Sequence, residues 1–290
     1  MSSTISDPAA TYLRTWTDAE PRWLERGDGT RLRYVVTGDG PPVVLLHTVR
    51  TQLDYFQRVI PLLAEHRRVY AVDFPGMGWS DIAPGATYTH DDLQQAVVEF
   101  VRQLELTDVT LAGESIGAAV ALTASVELGN RVRRVVASNT YDYPQGLERA
   151  NTLAHLIISA VRAPLIGPTF AALENKPIVK GIMRGGYADP TQFPESFLDE
   201  LVRVGKRPGY PRVAREIYRN LPTLIAARRH YPAITAPVTL LYSSADWSRK
   251  ADRASTIAAI PQASVHKVPD AGHFTAMEKP AEFAAAVLSA

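Results

Sequence analysis

Between residues 41 and 139 the chain alternates short apolar runs with helical stretches, and that alternation restricts the fold more than any other feature. "PPVVLLH" (41–47), "RVYAVDF" (68–74), "DVTLAGE" (108–114) and "VRRVVASN" (132–139) are compact and rich in β-branched residues, as expected of strands covered on both faces. Between them, "LDYFQRVIPLLAE" (53–65) has helical spacing with Pro61 as a kink, and "SIGAAVALTASVEL" (115–128) is a helix. "HDDLQQAVVEFVRQLEL" (90–106) is an amphipathic helix with acidic residues in its first turn. Strands that alternate with helices build a mostly parallel sheet covered by helices, with ligand sites at the carboxyl ends of the strands.

The pattern extends in both directions. "RLRYVVTG" (31–38) is a further strand, and "APVTLLYSSADW" (236–247) and "ASVHKVP" (263–269) restore buried strands before a closing helix, "AEFAAAVLSA" (281–290). We expect about eight strands, one of them antiparallel near the N-terminus. Residues 144–236 break the rhythm with helical pieces such as "LAHLIISAVRA", "PESFLDELVRVG" and "PRVAREIYRNL". A structureless loop of that length is improbable inside a compact domain, so this segment is expected to be a helical cap inserted over the strand ends. The organisation expected is an extension at 1–21, a core from 22–143 and 237–290, and the cap at 144–236. The apolar stretch 153–170 is expected to line the inner face of that cap. The cap segment holds thirteen Lys and Arg against seven Asp and Glu, a balance that attracts acidic substrates or belongs to an ordinary solvated surface.

The bulk numbers exclude several classes. With 46% hydrophobic residues over 290 positions and a net charge of +1, the chain can bury a large core and is neither a disordered segment nor a basic nucleic-acid binder. It has no cysteine, so disulfides, cysteine-ligated zinc and a cysteine nucleophile are ruled out. No apolar leader is read at the start, and no run reaches the ~18 residues of a membrane span. A cytoplasmic location is expected.

Gly113-Glu114-Ser115-Ile116-Gly117 stands on the seam between the strand 108–114 and the helix that follows. Serine there is either a helix N-cap in a tight turn or a nucleophile held on a strained elbow. Two residues favour the second reading. Asp246 follows the strand "VTLLYSS", and His273, in "DAGHF", follows the strand "VHKVP". All three lie just past a strand's carboxyl end, in the order Ser, Asp, His. In such a set His273 takes the Ser115 proton, while Asp246 holds the imidazole tautomer and stabilises the imidazolium. Asp142, just past "VRRVVASN", is the rival acid, and Asp252 reads as a surface residue at a helix start. His90 reads as a helix-entry residue, and His66, His155, His230 and His266 as solvated or packed. "PGMGWSD" (75–81) lacks the lysine of a phosphate loop and reads as a turn in which Ser80 and Asp81 bond the backbone. No dense cluster of metal ligands is seen, and no cofactor is called for.

The sequence resembles the α/β-hydrolase family over roughly residues 22–290. The resemblance is carried by "LLH" (45–47), "DFPGMGWSD" (73–81), "GESIG" (113–117), "SSADW" (243–247) and "AGHFTAMEKPAEF" (271–283). It implies an α/β-hydrolase fold, with an oxyanion hole made by the backbone N–H groups of Val49 and Ile116. It also implies that Ser115 argues against haloalkane dehalogenase and epoxide hydrolase chemistry, where the family uses Asp. One departure stands out: Thr48 follows His47 where the family usually has glycine, so the oxyanion loop is expected to be shaped differently. His47 is expected to fix that loop or to face the substrate. Thr48, Arg50 and Trp247 are candidate substrate contacts, Arg50 through a substrate carboxylate or phosphate.

The function expected is cofactor-independent hydrolysis of an ester, thioester or lactone through an acyl-enzyme on Ser115. The substrate is then an uncharged or singly anionic acyl compound. Two alternatives stay open: hydrolysis of a carbon–carbon bond in a diketone-type substrate, and a ligand-binding receptor or scaffold on a hydrolase fold. Oligomeric state is not legible.

Overall fold

The computed structural model of the chain describes residues 7–289, so residues 1–6 of the expected extension and Ala290 of the closing helix lie outside the described residues. Eight strands form one sheet: β1 (Arg22–Glu25), β2 (Arg31–Thr37), β3 (Pro42–Leu46), β4 (Arg68–Val72), β5 (Val109–Glu114), β6 (Val132–Ser138), β7 (Val238–Ser243) and β8 (Ser264–Val268). Their order across the sheet is β1-β2-β4-β3-β5-β6-β7-β8. Only β2 runs against its neighbours, pairing antiparallel with both β1 and β4, and every pair from β4 to β8 is parallel.

Twelve α-helices accompany the sheet among the described residues. Outside the long insertion they are α1 (Pro8–Thr11), α2 (Ile60–Ala64), α3 (His90–Gln103), α4 (Ile116–Leu128), α10 (Lys250–Ala259), α11 (Thr275–Glu278) and α12 (Pro280–Leu288). Between β6 and β7 lie α5 (Thr152–Arg162), α6 (Gly167–Ala172), α7 (Lys176–Arg184), α8 (Glu195–Gly205) and α9 (Tyr210–Ala227). The central strands β3, β5 and β7 are buried almost throughout, which is why their sequences are continuous apolar runs rather than alternations. Helix α4 is buried on nearly all sides, packed against β5, β6, α3 and α9. Its Ala-rich, nearly uncharged sequence follows from that position.

Three expectations need correction, and one strand had not been read. The run 53–65 is not one kinked helix: a 3₁₀ turn at Leu53–Phe56 precedes α2, and Pro61 sits in the first turn of α2, where its missing N–H costs no hydrogen bond. Strand β1 was not among the elements read, because four residues, Arg22–Glu25, are too short to show a period. Strand β8 is an edge strand rather than a buried one, with only Val268 buried, as its outermost place in the sheet requires. The stretch 153–170 does not turn all its apolar residues inward. Ala154, Ile158 and Val161 are buried at helical spacing, while Leu156, Leu165 and Ile166 are exposed.

The core also buries charge. Arg33 of β2 is fully enclosed and bonds Asp73 at 2.7 Å, Asp54 at 2.6 Å and the Ala9 carbonyl at 2.8 Å. Asp54 in turn accepts Trp16 Nε1 at 2.9 Å, and Asp73 accepts Leu53 N–H at 2.6 Å. Each charge is paired, which is the condition for burying it. The cluster ties the N-terminal segment and the loop after β3 to the sheet.

Candidate active site

Strand β5 ends in a turn that the backbone makes at Ser115, with φ 59° and ψ −117°. A residue with a Cβ held there costs about 1–3 kcal/mol. The flanking glycines serve a different purpose, since neither has a positive φ. A Cβ on Gly113 would overlap the Gly117 backbone, and one on Gly117 would overlap the carbonyl oxygens of Leu46 and His47. The elbow is therefore packed directly against the end of β3. Ser115 holds the N-cap position of α4, yet its side chain makes no capping bond. Its Oγ is buried and has no partner among the described residues. That speaks against a helix cap as the reason for serine. Gly117→Val is expected to cost at least about 3 kcal/mol, because backbone oxygens cannot rotate away as a side chain would. Thermal unfolding checks it, with a midpoint lowered by roughly 6–12 °C expected and an unchanged midpoint contradicting it.

His273 and Asp246 meet at the adjacent strand ends. His273 Nδ1 lies 2.5 Å from Asp246 Oδ1, and both side chains are fully enclosed. With Nδ1–H donated to the carboxylate, Nε2 of the neutral ring is left as an acceptor, and it has no partner among the described residues. Ser115 Oγ and His273 Nε2 are thus both buried and without a partner among the described residues. Asp246 Oδ2 accepts the Ser248 N–H at 3.0 Å and the Ser248 hydroxyl. Burial raises the Asp246 carboxyl, but the facing His273 and the Ser248 bonds outweigh it and hold Asp246 below its ordinary value. The rival acid is elsewhere: Asp142 accepts the Thr256 hydroxyl at 2.8 Å, and burial pushes it up to about 6. Asp252 sits in the first turn of α10 and pairs with Arg149 at 2.6 Å.

Sequence reasoning missed Glu114. Its carboxylate is fully buried and accepts four bonds: from Ser138 Oγ at 2.7 Å, Thr275 N–H at 2.9 Å, Ala276 N–H at 3.2 Å and the Tyr55 hydroxyl. Burial pushes the carboxyl up, against the bonds from Tyr55 and Ser138. Glu114 thereby fastens the segment directly after His273 to β5, so one residue beside Ser115 fixes where His273 begins its turn. The signal was present as the second residue of "GESIG", but its partners are distant in sequence.

Two of the candidate substrate residues have other employment. His47 accepts the Phe74 N–H through Nε2 at 3.0 Å and bonds the Thr48 carbonyl through Nδ1 at 2.8 Å, leaving no ring nitrogen for a substrate. It fixes the loop. Trp247 lies flat on the His273 ring, 3.7 Å between centroids and 11° between planes, and donates Nε1 to the Gly185 carbonyl at 3.0 Å. It braces His273 rather than lining open space. Thr48 does not take a positive φ, so no glycine is needed there; the left-handed residue of the loop is Arg50, φ 60°. Thr48 Oγ1 is buried without a partner among the described residues. The N–H groups of Val49 and Ile116 donate to no protein acceptor among the described residues. Arg50 pairs with Glu174. Ser80 and Asp81 bond backbone, with Ser80 Oγ 2.8 Å from the Asp73 carbonyl and Asp81 Oδ2 3.0 Å from Arg31 N. His90 is the first residue of α3 and bonds Thr123 through Nε2 at 2.8 Å.

The segment that follows α7 reaches this corner. His273 N–H donates to the Gly186 carbonyl at 2.6 Å, and Glu278 accepts both Ala188 N–H at 2.8 Å and Gly272 N–H at 2.7 Å. The segment 185–188 thus backs the turn that carries His273. No group of three or more His, Asp or Glu suited to a metal occurs among the described residues. No described helix is long and apolar enough to cross a membrane.

A family model described as the alpha/beta hydrolase family matches residues 43–286. Among characterised proteins, the chain is 28% identical over 279 residues to a protein of Mycobacterium tuberculosis named haloalkane dehalogenase 2, covering 93% of this chain and 94% of that one. It is 26% identical over 277 residues to the 2-hydroxymuconate semialdehyde hydrolase of a Pseudomonas species, covering 89% of each. Among solved structures, Cfl2 from Burkholderia cenocepacia superposes with a TM-score of 0.80 at 23% identity, over 93% of this chain and 94% of that one.

Proposed function

The chain belongs to the alpha/beta hydrolase family, and from that premise we propose that it is a cofactor-independent serine hydrolase acting on an ester, thioester or lactone. The observation that carries the reading is the set of strand-end groups at one corner. Asp246 bonds His273 Nδ1 at 2.5 Å, while His273 Nε2 and Ser115 Oγ remain buried and unbonded. In this mechanism Ser115 Oγ attacks the substrate carbonyl as its proton passes to His273 Nε2. The negative charge that develops on the carbonyl oxygen is held by the N–H groups of Val49, in the loop after β3, and of Ile116, the first residue of α4. His273 then protonates the leaving alcohol or thiol. Water attacks the acyl-enzyme with His273 as base, and the acid departs from a regenerated Ser115. The residues 144–236 act as a cap that excludes bulk water.

The relatives named haloalkane dehalogenase do not transfer their chemistry at this position. A serine alkylated at Oγ is an ether with no carbonyl for water to attack, so turnover would stop after one displacement. A second reading, carbon–carbon bond hydrolysis of a diketone-type substrate by the same residues, is favoured by the similarity to a 2-hydroxymuconate semialdehyde hydrolase. Assaying p-nitrophenyl esters beside a vinylogous diketone tests both. We expect the esters to be turned over with kcat/KM at least tenfold above that for the diketone. The reverse preference selects the second reading, and no turnover of either removes both.

A further inference from the structure

We propose that Arg50 is the recognition point for a carboxylate on the substrate, with Glu174 of the inserted helices as its resting counter-ion. The proposal rests on the acyl-transfer reading above, since Arg50 directly follows Val49, one of the two oxyanion donors of that reading.

The first observation is the state of the Arg50 side chain. Arg50 directly follows Val49, and only 10% of its side chain is exposed. Its guanidinium pairs with Glu174 through Nη2 and lies 4.9 Å from the centroid of the Tyr210 ring. The Tyr218 hydroxyl also lies close to the guanidinium, while Nη1 is buried and has no acceptor among the described residues. A guanidinium taken out of water with one nitrogen unbonded is costly, and a second acceptor oxygen removes that cost. The backbone adds to this: Arg50 stands at φ 60°, where glycine would sit without strain.

The second observation is where Glu174 stands. It lies in the connection between α6 and α7, in the wall of a groove of about 770 Å³ that also carries Lys176, Arg203, Lys206 and Arg207. Lys176 is paired there with Asp199 and Glu195, and Arg203 with Glu200, so the cations of that wall without an acidic partner among the described residues are Lys206 and Arg207. Their charge lies on the same wall as Glu174, the partner of Arg50, and favours an anion arriving there. The pair also defines what kind of anion fits. Arg50 already holds a carboxylate oxygen, and a planar two-oxygen acceptor matches the fork of Nη1 and Nη2 better than a single oxygen does. The substrate class is an acyl compound bearing one further ionised carboxylate, which takes the place of the Glu174 carboxylate on Arg50.

The test compares mono-p-nitrophenyl glutarate, which is anionic, with p-nitrophenyl pentanoate, a neutral ester of equal chain length. Wild type is expected to prefer the anionic ester by about ten- to a hundredfold in kcat/KM. Arg50→Gln is expected to bring that ratio near one, and Arg50→Lys to restore part of it. Glu174→Gln, which leaves Arg50 without its internal competitor, is expected to lower KM for the anionic ester. An equal ratio in wild type and Arg50→Gln overturns the proposal. So does a Glu174→Gln that weakens both esters alike, which reduces the pair to a clamp between core and cap. If neither ester is hydrolysed, the acyl-transfer reading has failed, and glutarate titrated into wild type and Arg50→Gln by calorimetry decides the carboxylate site separately. Binding weakened at least tenfold in Arg50→Gln supports the site, and equal binding or none overturns it.

Discussion

Replacing Ser115 with Ala is expected to lower the kcat for ester hydrolysis roughly 10⁶-fold while changing stability by no more than about 1 kcal/mol. The two halves of the expectation have separate causes. The Ser115 hydroxyl makes no hydrogen bond within the protein, so its removal breaks none. Alanine carries the same Cβ as serine and meets the same strain at φ 59°, so the elbow neither gains nor loses from the change. The loss of rate comes from removing the atom that forms the acyl bond. Kinetics and thermal unfolding on the same preparation check both halves. A variant that keeps its fold and its turnover would leave Ser115 as a residue of the turn and nothing more.

Asp246→Asn is expected to lower turnover about 10⁴-fold, and the hydrogen bonds around Asp246 explain why. Two donors of Ser248, its N–H and its hydroxyl, point at Oδ2. An asparagine at 246 turns its carbonyl oxygen toward those donors and presents its NH₂ to His273 Nδ1. His273 must then accept at Nδ1 and carry its proton on Nε2, where it cannot take the Ser115 proton. The variant should therefore fold, bind and remain slow. Asp142→Asn is the control, since Asp142 bonds Thr256 rather than His273. Steady-state kinetics on both variants check this. Equal losses in both, or the larger loss in Asp142→Asn, contradict the assignment of the acid.

Much of the sheet was legible because its central strands are enclosed on both faces. Burial on both sides writes an unbroken apolar run, and seven of the eight strands carry such a run or an alternation. Strand β1 is too short to do so, and β8 betrays its edge position only through its exposed side chains. Ser115, Asp246 and His273 were legible as residues just past strand ends, because in a parallel sheet those ends lie along one rim. What the sequence did not show are the partners that the fold brings together. Glu114 drew no reading of its own in the sequence, and its four donors come from three distant segments. His47 and Trp247 looked available for substrate until their bonds to Phe74 and Gly185 were seen. Arg50 could be flagged for its charge beside the oxyanion loop, but its pairing with Glu174 spans the joint between core and inserted helices. No periodicity records a contact of that kind.

In acyl transfer Ser115 forms a covalent bond to the substrate carbonyl carbon. A fluorophosphonate mimics that electrophile and stays attached to an activated serine, so mass spectrometry of the treated protein reads out the bond itself. A single adduct per chain is expected, mapped to the peptide containing Ser115, absent from Ser115→Ala and formed in step with the loss of esterase activity. An adduct on another residue, or hydrolysis that continues in a protein fully labelled at Ser115, would contradict it.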